Sequence, residues 1–378
     1  MGFYLVRGTL LAVVVVCSVT LSVAAAQRQG DCSSLTRNGR VLGQCIPVRD
    51  CEYFMGILTV TPVSQSDRNL LRDNQCNRQQ NGNVNVCCPI LDMDGVGQAN
   101  RDSLGALTHP LLPHECGGVK WQRSNDTEAK INEYPWLALI EYTKPSQEKL
   151  HACGGVLISE RYVLTAAHCA SGSAISSEGW RVRAVRLGEW DTLTNPDCQV
   201  SHAPEKTECA PPYQDVLVEE IIVHQNYSMD AGSQTNDIAM IRLKDVAQIN
   251  NYVQPICLPN KQLRADELED LVTEVGGWQA KSSSRLKKSE VIIESIENCQ
   301  RQYAAQNIHI MASQLCGSAK SNECHGNSGG PLMLLKNNVY LLGGLLSFGP
   351  VPCPSTGWPD IYTRVASYID WIHSNLKA

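Results

Sequence analysis

Three short motifs in this 378-residue sequence contain residue types that could cleave a peptide bond through a serine. TAAHC contains His168, NDIAMIRL places Asp237 at the head of an apolar strand, and GNSGGP places Ser328 in a loop of small residues. A serine can attack a carbonyl carbon when a base lies within hydrogen-bond reach, a carboxylate holds the tautomer of that base, and amide donors face the oxyanion. Each motif alone has an ordinary structural explanation. Their joint occurrence in the order His, Asp, Ser favours acyl transfer.

The elements that must position these residues are predicted to be β-strands. After about residue 133, short apolar runs are separated by turn-rich pieces, among them WLALIEY, RYVLTAA, VLVEEIIVH, DIAMIRL and VYLLGGLLSF. This pattern is typical of an all-β sandwich or barrel. Only residues 365–376 carry apolar side chains at helical spacing, which predicts one closing helix.

The N-terminus has the features of an export signal. Arg7 supplies positive charge, residues 10–23 are almost entirely apolar, and three alanines offer small residues for cleavage before Gln27. An uncleaved anchor is the alternative, but the alanines and the missing basic flank favour removal of residues 1–26. We therefore expect a secreted, extracellular protein. Since the formal net charge is -6, neither nucleic acid nor an anionic membrane is an expected partner.

The cysteines fit an oxidising compartment. Of the 17 cysteines, Cys17 lies in the export signal, so the remaining sixteen can form eight disulfides. A metal cluster is not expected, because the sequence lacks paired CxxC motifs with matching histidine spacing. Residues 89–115 show no sustained periodicity and are predicted to be an exposed linker. Before them, six cysteines lie in a segment with few large apolar residues, which needs disulfides because its core is small: Cys32, Cys45, Cys51, Cys76, Cys87 and Cys88.

The three motifs, in this order and with these flanks, closely resemble those of the chymotrypsin-like serine proteases, and the resemblance covers about residues 116–378. It implies a double β-barrel with a C-terminal helix and no required cofactor. It also implies that Ser328 attacks the scissile carbonyl, that His168 takes and returns its proton, and that Asp237 orients the imidazole. The amides of Gly326 and Ser328 would then form the oxyanion hole.

The same resemblance implies where a substrate lies. Ser347 and Gly349, in the run LLSFGP, match the edge that pairs with an extended substrate backbone by strand addition. Trypsin-like members carry an aspartate at the floor of the specificity pocket, six residues before the nucleophile; that position is Asn322 here, beside Glu323. Asp360 stands where most members have a glycine facing this pocket. It could attract a lysine or arginine side chain with altered geometry, or fill a disused pocket, and the sequence leaves both alternatives open.

The resemblance further implies a disulfide pattern. The N-terminal cysteines resemble the clip domain, a small module that precedes arthropod members of the family, over residues 32–88. Six cysteines allow fifteen pairings, so the clip connectivity rests on resemblance alone. The implied clip pairs are Cys32–Cys87, Cys45–Cys76 and Cys51–Cys88. In the protease domain they are Cys116–Cys257, Cys153–Cys169, Cys299–Cys316 and Cys324–Cys353, which leaves Cys198 and Cys209 to close the loop between them.

The activation apparatus departs from the family pattern. Relatives are cut after a basic residue, and a new Ile-Val-Gly-Gly terminus pairs its ammonium with the aspartate before the catalytic serine. Counting back from EYPW, this start falls on Arg123, or on Ser124 if the cut follows Arg123, and neither register gives an apolar terminus or a glycine hinge. A polar start forfeits about 2 to 3 kcal/mol of apolar burial. Asn327 replaces the aspartate, and an unpaired buried ammonium costs about 3 to 5 kcal/mol, so we expect severely reduced activity after normal processing.

Two further kinds of site are predicted. Asn125 and Asn226 begin the glycosylation sequons Asn-Asp-Thr and Asn-Tyr-Ser. Glu189, Asp191 and Asp197 are hard oxygen ligands near a segment that binds calcium in some relatives, so they are candidate ligands of a structural calcium ion. The alternative is that these acidic side chains are merely solvated.

Two functions follow from the resemblance. The first is a secreted clip-domain endopeptidase that cleaves protein substrates after lysine or arginine in an extracellular, innate-immune proteolytic cascade. Its partners would be protein substrates, other cascade proteases and serpin inhibitors. The second is a catalytically silent homologue that acts as a binding cofactor or regulator of such a cascade. The complete triad supports the first function, and the altered activation start with Asn327 supports the second.

Overall fold

The computed structural model describes residues 31–36, 39–51, 54, 65–78, 84–89, 109–119, 126–202, 205–228, 234–278, 284–320, 326–350 and 357–378. The predicted export signal and most of the predicted linker lie outside these residues. The chain divides into two compact units, Met1–Gly97 and Gln98–Ala378. In the described ranges, no helix is both long enough and apolar enough to cross a bilayer.

The first unit is a small antiparallel sheet with the strand order β1-β2-β4-β3. Its core contains Cys51, Phe54 and Val86, which are buried almost completely. Burial of so few apolar side chains offsets only a small part of the conformational entropy that the chain loses on folding. Disulfides are therefore needed to stabilise the sheet. These links are Cys32–Cys87, Cys45–Cys76 and Cys51–Cys88. The elements are β1 (Asp31–Thr36), β2 (Gly39–Pro47), a 3₁₀ turn (Val48–Asp50), a helix (Gln65–Asp73), β3 (Gln75–Arg78) and β4 (Val84–Pro89).

The second unit contains two closed antiparallel barrels of six strands each, which confirms the predicted all-β, chymotrypsin-like double barrel. The first barrel has the order β11-β12-β7-β6-β5-β8 and the second the order β13-β14-β15-β18-β17-β16. The first is formed by β5 (Leu137–Thr143), β6 (Lys149–Ser159), β7 (Tyr162–Thr165), β8 (Arg181–Leu187), β11 (Gln214–Val223) and β12 (Ala239–Leu243). The second is formed by β13 (Val272–Gly277), β14 (Lys287–Glu294), β15 (Gln314–Ala319), β16 (Pro331–Lys336), β17 (Val339–Phe348) and β18 (Asp360–Arg364).

A hairpin extends from the first barrel between β8 and β11. It consists of β9 (Cys198–His202) and β10 (Glu205–Cys209), and Cys198 and Cys209 form a disulfide at its base. Gln199 accepts a hydrogen bond from the amide of Ile131 at 3.0 Å. The hairpin therefore fastens the segment that leads into β5.

Helices are few and short in the second unit. The predicted closing helix begins as a 3₁₀ turn (Val365–Tyr368) and continues as an α-helix (Ile369–Asn375), with Ile369 and Ile372 buried against the barrels. The sequence analysis did not predict the helix Ile296–Ala304, whose first turn is capped by Ser295 accepting a hydrogen bond from the Asn298 amide. Two more short helices follow β7, at Ala167–Ser171 and Ser173–Glu178.

The two barrels pack against each other through a shared core. The segment around Cys116, which precedes the first barrel, is attached to the barrels by a disulfide and a hydrogen bond. The indole of Trp136, fully buried, donates to the sulfur of Met333 in the second barrel at 3.1 Å. Cys116 forms a disulfide with Cys257, and the Gly117 amide donates to the Pro255 carbonyl at 2.9 Å. Only glycine fits at position 117, because its φ is +60° and a Cβ would lie 2.2 Å from a backbone oxygen. The remaining disulfides in the described residues are Cys153–Cys169 and Cys299–Cys316, whereas the expected Cys324–Cys353 pair lies outside them.

Candidate active site

His168 and Asp237 are brought together by the pairing of two strands in the first barrel. β7 pairs with β12 so that Thr165 lies opposite Ala239. His168 follows β7 at the start of a short helix, and Asp237 lies two residues before β12. His168 Nδ1 lies 2.8 Å from Asp237 Oδ2, and the His168 amide donates to Oδ1 at 2.9 Å. This double contact fixes both the position and the orientation of the imidazole.

Asp237 is completely buried, and polar groups surround its carboxylate. Besides the two contacts from His168, the Ser347 hydroxyl donates to Oδ2. The Thr363 hydroxyl donates to the backbone carbonyl of Asp237 at 2.7 Å. A carboxylate with this many donors remains an acceptor, so the histidine tautomer that satisfies it has its hydrogen on Nδ1. Nε2 is then left as a base.

The loop from 326 to 330 holds Ser328 between the two barrels. On one side, the Gly329 amide donates to Leu346 O and the Leu346 amide donates to Gly330 O, at 2.8 and 2.9 Å. On the other side, the Gly154 amide donates to Ser328 O at 2.8 Å. Position 329 requires glycine, because its φ is +76° and a Cβ would lie 2.2 Å from the Thr165 hydroxyl.

Ser328 and His168 share a neighbour in the disulfide Cys153–Cys169. The Cys169 sulfur lies 3.5 Å from His168 Nε2 and 3.5 Å from the carbonyl oxygen of Ser328. Ser328 is partly exposed, while residues 327, 329 and 330 beside it are buried. The structure therefore places the backbone of Ser328 and the imidazole of His168 against the same disulfide sulfur.

Asn327 is buried with its amide oxygen already bonded. Only 6% of the residue is exposed, and Oδ1 accepts a hydrogen bond from the backbone amide of Trp278 at 2.8 Å. Gly154 packs so closely that a Cβ there would lie 2.9 Å from Asn327 Cβ. The predicted activation residues Arg123 and Ser124 and the sequon residue Asn125 lie outside the described residues. At the C-terminal end of β13, the Asn327 side chain therefore accepts a hydrogen bond from an uncharged donor, the Trp278 backbone amide.

Comparisons with known proteins support the same architecture. The trypsin family model matches residues 124–372, and the model of the regulatory CLIP domain of proteinases matches residues 27–88. The chain belongs to the clip-domain serine proteases. It is 41% identical over 349 residues to "Serine protease ea" of Drosophila melanogaster, which covers 88% of each chain. It is 37% identical over 396 residues to "Melanization protease 1" of the same organism, covering 95% of this chain and 96% of the relative.

A solved clip-domain protease shares this fold. The crystal structure of the Drosophila Grass clip serine protease of the Toll pathway superposes with a TM-score of 0.60 at 29% identity, covering 91% of this chain and 96% of that one. The similarity therefore extends over both the clip domain and the protease domain.

Of the residues predicted to face the specificity pocket, Asp360 lies in the described ranges, whereas Asn322 and Glu323 fall outside them. It is the first residue of β18, and its side chain packs against Gly349, where a Cβ would lie 1.9 Å from Asp360 Oδ1. Burial raises the pKa of this carboxyl group to about 6. Ser347, which is predicted to lie at the substrate edge, is buried, and its hydroxyl donates a hydrogen bond to Asp237. Pairing of this edge with a substrate backbone stays a prediction.

Sequence reasoning missed several residues that support the site. The hydroxyl of Thr363, in β18 of the second barrel, donates to the Asp237 carbonyl. Gln314, also buried, donates to the backbone carbonyl of Gln234 at 3.0 Å, and the Gln234 side chain reaches Ser347 at 3.5 Å. Polar residues at otherwise buried strand positions were the available signal, because such side chains need hydrogen-bond partners.

The candidate calcium ligands are bonded to protein donors and do not form a calcium site. Asp197 accepts hydrogen bonds from two backbone amides and from a threonine hydroxyl. Arg186 donates to Glu189 and Arg285 donates to Asp191, each at 3.2 Å. Burial, and then the charge of Asp197, raise the pKa of Glu189 to about 7, which weakens it as a ligand. Within the described ranges these three acidic side chains do not converge to within 4.8 Å, so the geometry does not fit the predicted ion.

Of the two sequons, the one at Asn226 lies in the described residues. Asn226 is exposed, and its backbone amide donates to His224 Nδ1 within a tight turn. An exposed turn is accessible to a glycosyltransferase.

Proposed function

We propose that this protein is a secreted serine endopeptidase zymogen of an extracellular proteolytic cascade, with protein substrates and other cascade proteases as partners. The observation that carries the proposal is the 2.8 Å contact between His168 Nδ1 and Asp237 Oδ2 beside a serine loop bonded to both barrels. Relatives named for melanization and for the Toll pathway support a role in innate immunity. Disulfides throughout both units support export, and serpin inhibitors are expected partners of the processed enzyme.

Ser328 is the proposed nucleophile and His168 its general base. Nε2 accepts the hydroxyl proton while Oγ forms a bond to the substrate carbonyl carbon. The imidazolium then gives that proton to the leaving amine as the C–N bond breaks, and water hydrolyses the acyl-enzyme by the same two transfers. The amides of Gly326 and Ser328 are the proposed oxyanion donors, and each donor of this kind contributes about 10²- to 10³-fold in rate.

We also propose that processing leaves this activity severely reduced. The family mechanism needs a buried negative charge to receive the new ammonium group, whereas Asn327 offers a neutral amide whose oxygen is bonded to the Trp278 amide. An ammonium left without a counterion costs about 3 to 5 kcal/mol, so a terminus beginning at Arg123 or Ser124 would insert poorly. Because residue 327 lies between the two proposed oxyanion donors, a terminus that does not insert beside it would leave both donors poorly aligned. The same observation favours the second candidate function, a silent homologue that binds cascade components.

Labelling with an active-site fluorophosphonate tests the proposal. The secreted chain is treated with an immobilised trypsin-like activator, which is then removed, and the rate of covalent labelling is measured. We expect slow labelling that depends on processing and is abolished in Ser328→Ala. A complete absence of labelling, with the chain folded and cleaved, would support the silent homologue instead.

A second variant tests the cause of the low rate. Asn327→Asp, combined with an installed Ile-Val-Gly-Gly start, restores both members of the ion pair and should raise the labelling rate at least ten-fold. Either change alone should do much less, because each leaves one partner of a buried pair missing. If the combined variant labels no faster than the wild type, the defect lies elsewhere.

A further inference from the structure

The disulfide at the base of the β9–β10 hairpin differs from the others in its exposure. Both Cys198 and Cys209 are exposed, whereas none of the other six disulfides in the described residues contains an exposed cysteine. A thiolate breaks a disulfide by direct attack on one of its sulfur atoms, so the rate depends on access to that sulfur. An external thiol should therefore reduce this disulfide before the others.

The same disulfide constrains little of the chain. Its cysteines are 11 residues apart in sequence, against 16 for the next shortest span, that of Cys153–Cys169. A cross-link that closes a short loop removes less entropy from the unfolded chain than one that closes a long loop. The base of the hairpin is also held without it, because the Ala210 amide donates to the Asp197 carbonyl at 2.8 Å and the Asp197 carboxylate accepts from two further backbone amides. Loss of the S–S bond should therefore leave the barrels folded.

Beyond its base, the hairpin depends on the disulfide. β9 and β10 form a sheet of two strands, in which Cys198 lies directly opposite Cys209 and neither strand pairs with a described strand of the barrels. A sheet of only two strands is marginally stable in water. Breaking the S–S bond should therefore allow the two strands to separate.

Two side chains of the hairpin contact the segment that leads into β5. Gln199 accepts a hydrogen bond from the Ile131 amide at 3.0 Å, and residue 131 is 1% exposed. Glu208 accepts from the Tyr252 hydroxyl at 3.1 Å and from the Asn132 side chain at 3.5 Å. If the strands separate, a buried amide loses its acceptor, which is unfavourable. An open hairpin should therefore loosen residues 131 and 132.

We propose that Cys198–Cys209 is a site of reversible thiol–disulfide exchange, through which an extracellular thiol loosens the segment before β5. The donor thiolate attacks the sulfur of one cysteine, a mixed disulfide forms, and the other cysteine leaves as a thiolate. A second donor thiolate then attacks the donor sulfur of the mixed disulfide and releases the first cysteine. The protein gains two electrons and two protons, and the two donor thiols become a disulfide. The loosened segment follows the predicted activation start in the chain, so the exchange regulates the part that carries a new terminus.

Alkylation of the native full-length protein tests which disulfide reacts. The protein is treated with glutathione or with reduced thioredoxin, free thiols are alkylated at intervals, and mass spectrometry measures each cysteine. We expect Cys198 and Cys209 to become alkylated about ten-fold faster than the matched control pair Cys153–Cys169, which is buried and closes a loop of similar length. Reaction with either donor supports the inference and shows whether a small thiol or a Cys-x-x-Cys protein is the source. Equal rates for the two pairs, or reaction with neither donor, would overturn it.

Hydrogen exchange tests whether the reaction loosens the segment before β5. In the protein reduced at this disulfide, the amide of Ile131 should exchange roughly ten-fold faster than in the oxidised protein, while the amides of the barrel strands stay protected. The double variant Cys198→Ser, Cys209→Ser should show the same increase. Unchanged exchange at residue 131 in the reduced protein would overturn the inference, and so would a loss of protection throughout both barrels.

Two variants with the disulfide intact isolate the contact that transmits the change. Gln199→Ala removes the acceptor of the Ile131 amide and should reproduce the faster exchange there. Val200→Ala is the matched control, because Val200 is the next residue in β9 and is 50% exposed, and it should leave the exchange unchanged. Equal effects of the two variants would contradict the proposed coupling. Neither alkylation nor hydrogen exchange requires catalysis, so the outcome does not depend on the proposed protease function.

Discussion

Replacing Asp360 by asparagine should stabilise the folded protein at neutral pH, because it removes a buried carboxyl group that has no hydrogen bond or ion pair with the described residues. Burial raises the pKa of the carboxyl group from 3.8 to about 6. A shift of roughly two units corresponds to at most about 3 kcal/mol, at 1.36 kcal/mol per unit. Because the side chain is not fully enclosed, solvent screens part of this cost, and we expect about 1 to 2 kcal/mol.

The sign of the effect depends on pH. Below about pH 4 the carboxyl group is protonated in both the folded and the unfolded protein, so the wild type and Asp360→Asn should be equally stable. Between about pH 4 and pH 6 the unfolded state ionises first, and the free energy of unfolding of the wild type falls relative to that of the variant. Above the folded pKa of about 6 the difference should remain constant.

Urea unfolding with the disulfides intact measures this difference at pH 4, 5, 6 and 7.5. Asp370→Asn serves as the control, because its carboxylate is largely exposed at the surface. A variant that is less stable than the wild type at pH 7.5, or a difference that does not change with pH, would show that Asp360 is not a buried, unpaired charge.

Three further predictions concern the site and its scaffold. Ser347→Ala removes the hydroxyl that donates to Asp237 and should slow fluorophosphonate labelling about ten-fold without preventing folding. The reason is that leaving a buried acceptor without its donor costs about 1 to 3 kcal/mol. Gly329→Ala should lower the melting temperature by several degrees, since the added Cβ would lie 2.2 Å from a hydroxyl and the φ of +76° is strained. Gly118→Ala, with nothing within 4 Å of the added Cβ, should leave the melting temperature nearly unchanged, and equal shifts would contradict the packing argument. Asn226→Gln should reduce the mass of the secreted protein by one N-glycan, and an unchanged mass would show that the exposed sequon is unused.

Short-range patterns in the chain were sufficient for the parts of the fold that depend on local spacing. Short apolar runs between turn-rich pieces predicted the strands, and the apolar spacing over 365–376 predicted the closing helix. The helix at Ile296–Ala304 was missed, because its start depends on one capping serine, Ser295, within a polar stretch. The predicted calcium ligands do not converge in the structure, for a similar reason. Counting acidic residues in a loop cannot show that Arg186 and Arg285 already pair with them.

The sequence by itself determined the family, because His168, Asp237 and Ser328 occur in recognisable motifs whose order and flanks are properties of the chain. It also determined that Asn327 and Asp360 depart from the family pattern. Only the tertiary structure decided what the side chains at these two positions contact. The Trp278 amide, which donates to Asn327, and Gly349, which packs against Asp360, are separated from them in sequence and meet them only when the second barrel closes. Burial, and therefore the pKa of a carboxyl group, depends on everything packed around it, which no local pattern of residues records.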